Sequence, residues 1–170
     1  MILSEQEKNE LEQIYQLFLN NEKIKKMKEV EMHRGSNTYE HSFKVAKLAI
    51  KHALRHKNAN LKAILVASIL HDYYLYDWRR NREKLKGHGK NHPYIAAKNA
   101  VDDFNITAEV EKIITSHMWP INLKNFPNSK EARIVTIADK MIATREALTS
   151  RKHKAKKQPK YLNNINKLFD

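Results

Sequence analysis

The chain has no cysteine. That excludes disulfides and thiolate metal sites, so any metal site has to be built from His, Asp and Glu. Glycine and proline are scarce, at three and four residues in 170, which points to a helical protein with few tight turns. No apolar run reaches the ~18 residues a bilayer crossing takes, so no membrane span is expected. The opening MILSEQEKNELEQ turns polar and acidic too early for a signal peptide. With the missing cysteine, this makes the cytoplasm the expected location. Acidic residues are in deficit: 19 Asp and Glu face 32 Lys and Arg, a net charge of +13. Such an excess suits anionic partners such as nucleotides, nucleic acid or other phosphorylated molecules. Scattered lysines equally suit a solvated surface. The length is that of one domain with a real core. Residues 1–150 read as that domain and 151–170 as a basic C-terminal tail with a short helix.

What is present centres on Ala67-Ser68-Ile69-Leu70-His71-Asp72. The apolar stretch Leu61 to Leu70 has no Gly or Pro and reads as a buried helix. Ile64, Ser68, His71 and Asp72 share one of its faces. An inward His-Asp pair is costly to bury unless something compensates it. A divalent cation does so well, because imidazole nitrogen and carboxylate oxygen both ligate it. A lone His-Asp dipeptide also arises by chance, so the rest of the chain has to decide.

Taken in order, Ser4 to Met27 reads as an amphipathic helix, with Leu11, Ile14, Tyr15, Phe18 and Leu19 at helical spacing. Glu29 to Asn37 is a loop broken by Gly35 and Ser36. It carries Arg34, whose guanidinium suits a phosphate or simply water. Asn37 and Glu40 resemble a capping box, and the helix they open runs to about His56, with His41 facing inward. The helix bearing His71-Asp72 spans about Asn60 to Tyr74. The following YYLYDWRR either stacks a base and grips phosphate or packs in the core. Residues 79–91 form a basic loop suited to a lid or substrate contact, with His88 inside it. His92 and Pro93 then occupy the N-cap and first position of the next helix, which runs to Phe104. A short helix from Thr107 to His117 ends an apolar face in His117. The last strong helix, Lys130 to Ser150, puts Asp139 among Val135, Ala138 and Ile142, again a costly burial without a partner. RKHKAKKQPK after it has six Lys or Arg and no acid; it is a solvated run or a nucleic-acid or membrane contact. Tyr161 to Phe169 has weak helical spacing and is able to dock back on the body.

His41, His71-Asp72, His92, His117 and Asp139 therefore fall at helix ends or on apolar faces of five successive helical segments. Facing helices of a bundle can project such side chains into one site. In this order the sequence resembles the HD-domain metal-dependent phosphohydrolase superfamily. Its His, His-Asp, distant Asp pattern corresponds to His41, His71-Asp72 and Asp139, and the two extra histidines of its dinuclear branch to His92 and His117. The resemblance spans about Arg34 to Arg145. It is most similar to small bacterial HD proteins, and similar in ligand order to HD-type symmetrical dinucleoside-tetraphosphate hydrolases.

The resemblance implies an all-α HD bundle of about six or seven helices. It implies hydrolysis of a phosphate ester or anhydride, of a nucleotide or dinucleoside polyphosphate, by a metal-activated hydroxide. Two divalent first-row ions are implied, with Fe or Mn foremost and Mg, Co, Ni and Zn open. His41, His71, Asp72 and Asp139 would hold one, and His92 and His117 the second, with Asp72 bridging. Arg34, Arg79, Lys140 and Arg145 are the candidate phosphate-binding cations, and Asp77 the candidate leaving-group acid. The acidic residue that some mononuclear nucleotidases carry three positions after the pair is Leu75 here, which counts against that mechanism. The Glu-Asp pair of guanosine-tetraphosphate hydrolases is not evident. Two other readings stay open: a nucleotide- or RNA-binding HD module with little catalysis, its basic tail touching nucleic acid, and a di-iron HD oxygenase. A monomer or a dimer is equally compatible with the sequence.

Overall fold

The structure is a computed structural model and describes residues 2–32, 36–77, 87–149, 165 and 169. Among them are seven α-helices and no strand, so the fold is all-α. They are α1 (Glu5–Asn20), α2 (Glu22–Lys25), α3 (Thr38–Ala53), α4 (Leu61–Leu70), α5 (His88–Phe104), α6 (Ala108–Ser116) and α7 (Lys130–Thr149), with a short 3₁₀ turn at Lys26–Glu29.

Side-chain caps set most of the helix starts. Ser4 and Glu7 form a reciprocal capping box on α1. Asn37 Oδ1 accepts from the Glu40 amide at 2.8 Å to open α3. Asn60 does the same for Ala63 at α4, and Thr107 for Val110 at α6. Several expected boundaries differ. The helix opened by Asn37 ends at Ala53, short of His56, and α4 ends at Leu70, short of Tyr74. The first helix does not run on to Met27. Asn21 has extended backbone, and its side chain accepts from the amides of Lys23 and Ile24, so the helix stops and a new one starts. The helix carrying His92 also starts earlier than Pro93 suggests. Gly87, at φ +87°, turns the chain into α5 at His88, leaving His92 and Pro93 inside the helix. A Cβ added at Gly87 would sit 3.0 Å from the Asn91 side chain.

α4 is the hub. It contacts α1, α3, α5, α6 and α7. Of its ten residues only Lys62 and Val66 are not buried, as expected for a helix that is apolar all round. α3 and α7 flank it on one side, α5 and α6 on the other. Polar ties fix the periphery: Tyr39 Oη donates to Leu19 O, Thr38 Oγ1 to Met27 O, and Asp103 accepts from Tyr73 Oη and pairs with Lys23. Near the C-terminus Ile165 is fully buried, its amide donating to Glu12, and Phe169 packs on the core. The RKHKAKKQPK run lies outside the described residues, as does the rest of the expected Tyr161–Phe169 helix.

The fully buried Ile64 sits at the middle of α4. Ile64→Ala should cost about 3 kcal/mol of unfolding free energy, read by urea denaturation. A loss under about 1 kcal/mol would contradict the hub placement of α4.

Candidate metal centre

Five helices deliver six side chains to one point. His41 comes from the first turn of α3. His71 is the C-cap of α4 and Asp72 follows it. His92 comes from the second turn of α5, His117 is the C-cap of α6, and Asp139 lies midway along α7. All six are buried.

The outer nitrogen of each imidazole is tied. His71 Nδ1 donates to Ser68 O at 2.8 Å and His117 Nδ1 to Ile114 O at 2.7 Å. Both carbonyls lie in the last turn of a helix, where helical partners run out. His92 Nδ1 donates to His88 O at 2.8 Å. A carbonyl only accepts, so these three rings carry hydrogen on Nδ1 and turn Nε2 inward as a donor atom. His41 differs: its Nδ1 faces the carboxylate of Glu146 at 2.9 Å, and Lys44 holds the other Glu146 oxygen at 2.7 Å.

The inward atoms crowd together. His41 Nε2 lies 3.1 Å from Asp139 Oδ1, and His71 Nε2 lies 3.7 Å from the same oxygen. Asp72 spans the cluster, with Oδ2 at 3.3 Å from His71 Nε2 and Oδ1 at 3.2 Å from His92 Nε2 and 3.8 Å from His117 Nε2. His92 and His117 bring their Nε2 atoms to 3.0 Å of one another. Three overlapping groups keep their ligand atoms within 4.8 Å: His41-His71-Asp72, His71-His117-Asp139 and Asp72-His92-His117.

This donor set fits divalent cations. His71 Nε2 and Asp72 Oδ2 are buried without a hydrogen bond among the described residues, a costly state that a cation removes. Two neutral, Nδ1-protonated imidazoles facing Nε2 to Nε2 would oppose lone pairs, and a cation removes that conflict too. Without one, protons do part of the work. Burial disfavours the charged form of His41, but Asp139 and Glu146 outweigh it and raise the ring to about 9. Burial also opposes charge on His71, yet Asp72 and Asp139 raise it to about 10. Asp72 is held well below the carboxylate range, because His71 and then His92 overcome its burial. Asp139 is held there by His41 and His71 against the same opposing burial. His117 goes the other way, to about 3, through burial and then the charge of His71 and His92.

Asp72, His92, His117 and Asp139 line a cavity of about 380 Å³, with His41 and His71 behind them. Met32, Tyr74, Met118 and Ile121 make much of its wall apolar, and His88 and Lys140 also line it. His88 stacks on His92 and shares a 2.9 Å hydrogen bond with Tyr76 Oη. Burial and then His92 push His88 down to about 4, so it is neutral at pH 7.

The sequence matches the family profile described as HD domain over residues 38–144. The chain belongs to the HD domain family. No curated protein and no solved structure matches it. HD domains are metal-dependent phosphohydrolases in general, and here the matched span contains all six clustered donors.

Of the side chains singled out from the sequence, the structure brings together His41, His71, Asp72, His92, His117 and Asp139, and sets Lys140 beside them. The Lys140 ammonium lies 3.1 Å from His117 O and 3.5 Å from Asp139 Oδ2. Arg145 is exposed, away from the cavity lining and within electrostatic reach of His52. Asp77 is half-buried and is also absent from the lining. Arg34, Arg79 and most of the basic loop lie outside the described residues. Tyr73 of the aromatic cluster is core, whereas Tyr74 lines the cavity. Glu146 was missed, although the signal was there: it stands seven residues, two helical turns, after Asp139 on the same face.

Because ligand atoms must be free of protons, metal binding should displace the protons on His41 and His71. Calorimetric titration with Mn²⁺ at pH 7, in buffers of different ionisation enthalpy, should show proton release. Apparent affinity should rise as pH approaches 9 to 10, the values of these two rings. Affinity independent of pH across that window would contradict this charge assignment.

Proposed function

We propose that this HD domain hydrolyses a phosphate ester or anhydride of a nucleotide, at a dinuclear site in the floor of its cavity. One observation carries the reading: four inward imidazole nitrogens and two carboxylates cluster together, and Asp72, His92, His117 and Asp139 of that cluster line a cavity that also holds a lysine. His41, His71, Asp72 and Asp139 would hold one ion and His92 and His117 the other, with Asp72 shared. Its two oxygens already face opposite halves of the cluster. When bound, such ions supply Lewis-acid charge neutralisation and lower the pKa of water.

The remaining work falls to the chain. The backbone carbonyls of Ser68, His88 and Ile114 hold three rings in register, which spares reorganisation during the reaction. Lys140 offers an ammonium to phosphoryl oxygens as their charge grows. His88, neutral at pH 7, serves as a hydrogen-bonding group and not as a proton source. Tyr74, Met118 and Ile121 supply an apolar wall that excludes water and accommodates a base. A complete donor set favours hydrolysis over a binding module that has lost catalysis. The positive charge of the chain favours a phosphorylated substrate over an oxygenase's.

The test is a panel of nucleotides and dinucleoside polyphosphates with manganese- or iron-loaded protein. Release of phosphate or mononucleotide should appear, disappear with a chelator, and be absent from Asp72→Ala, which should remain helical and lose metal. Lys140→Met should keep its metal and lose about 10²-fold in kcat/KM. Full metal loading with no turnover on any member, but retained nucleotide binding, would transfer the assignment to the binding module.

A further inference from the structure

The four imidazoles are not held alike. His71, His92 and His117 hydrogen-bond outward to neutral main-chain carbonyls. His41 alone hydrogen-bonds outward to a carboxylate, that of Glu146, which is buried. A carboxylate draws the ring proton more strongly than a carbonyl does, so it makes the opposite nitrogen a better electron donor. Charge is also uneven across the cluster. The His41 half has Asp139 Oδ1 at 3.1 Å, Asp72 Oδ2 facing His71, and Glu146 behind. The half of His92 and His117 has only Asp72 Oδ1, and the Lys140 ammonium lies between the halves, 3.1 Å from His117 O and 3.5 Å from Asp139 Oδ2. Lys44 steers the Glu146 carboxylate from its far oxygen, bridging α3 to α7.

We propose that Glu146 is a positioning residue that, through its hydrogen bond to His41, makes the His41 half of the cluster the tighter of two unequal cation sites. The proposal rests on the six-donor reading above. It implies ordered loading: the half of His41, His71 and Asp139 fills first, and the half of His92 and His117 fills at higher metal concentration. The chain would then be a one-metal protein when metal is scarce and a two-metal protein when it is abundant.

Glu146→Gln keeps the shape and leaves an amide oxygen for His41 Nδ1–H to reach, while removing the charge. Mn²⁺ titration followed by the electron paramagnetic resonance of the free ion should give two steps for the unaltered chain. In Glu146→Gln the tight step should weaken by about 10- to 100-fold, the range for loss of such a partner, and the weak step should stay in place. Lys44→Met, which leaves the carboxylate, should retain the tight step. A second measurement needs no variant. In the histidine ring-proton spectrum of the unaltered chain, one equivalent of Zn²⁺ should perturb the His41 Nδ1–H signal before those of His92 and His117. The reverse order overturns the proposal. So does a Glu146→Gln titration that is unchanged or weakened equally in both steps. Absence of manganese binding by the unaltered chain overturns the six-donor reading and this proposal together.

Discussion

A cluster of ionisable groups sits at the packed ends of apolar helices, where water cannot solvate it. Burying even one uncompensated charge costs several kcal/mol, and here Asp72, Asp139 and four imidazoles lie buried within a few ångströms. The arrangement persists because each group is answered. Carbonyls and Glu146 take the outer ring nitrogens, and the inner atoms face one another. What those pairings leave over is two buried polar atoms, His71 Nε2 and Asp72 Oδ2, with no hydrogen bond among the described residues. Divalent cations would fit this donor set, and HD domains in general bind such ions.

The scaffold follows from the same constraint. Donors that must converge need rigid carriers, and all six are on helices or immediately after one. α4 runs through the centre of the bundle and brings His71 and Asp72 to its end, where side chains from α3, α5, α6 and α7, all in contact with it, reach the pair. The C-terminal turns of α4 and α6 contribute twice: they end in a histidine, and their last carbonyls orient that histidine. The cavity opens beside this point, with an apolar wall of Tyr74, Met118 and Ile121 and with Lys140 next to the clustered donors.

Much of the architecture was legible from residue spacing. The apolar run Leu61–Leu70, the caps Asn37, Asn60 and Thr107, and the apolar faces ending at His117 and holding Asp139 all correspond to helices of the structure. Boundaries failed where backbone conformation outweighed periodicity. Asn21 interrupts an otherwise continuous amphipathic pattern with an Asx cap, and Gly87 starts α5 before the proline that seemed to mark its beginning. Glu146 escaped notice because a glutamate near a helix end ordinarily faces water. Its spacing from Asp139 put it on the inward face, and the packing of α3 on α7 shows that its partner there is His41. Its neighbour Arg145 is exposed, because Glu146 takes the inward face. Which faces of two helices meet is a tertiary fact, and spacing along one helix does not contain it.

In the proposed site, cations lie on both sides of Asp72. Crystals of manganese-loaded protein, with anomalous scattering measured at the manganese edge, locate them directly. Two peaks are expected, one among His41, His71, Asp72 and Asp139, the other among Asp72, His92 and His117. Peaks elsewhere, or none within the cluster at saturating manganese, would contradict the assignment of these six residues as ligands.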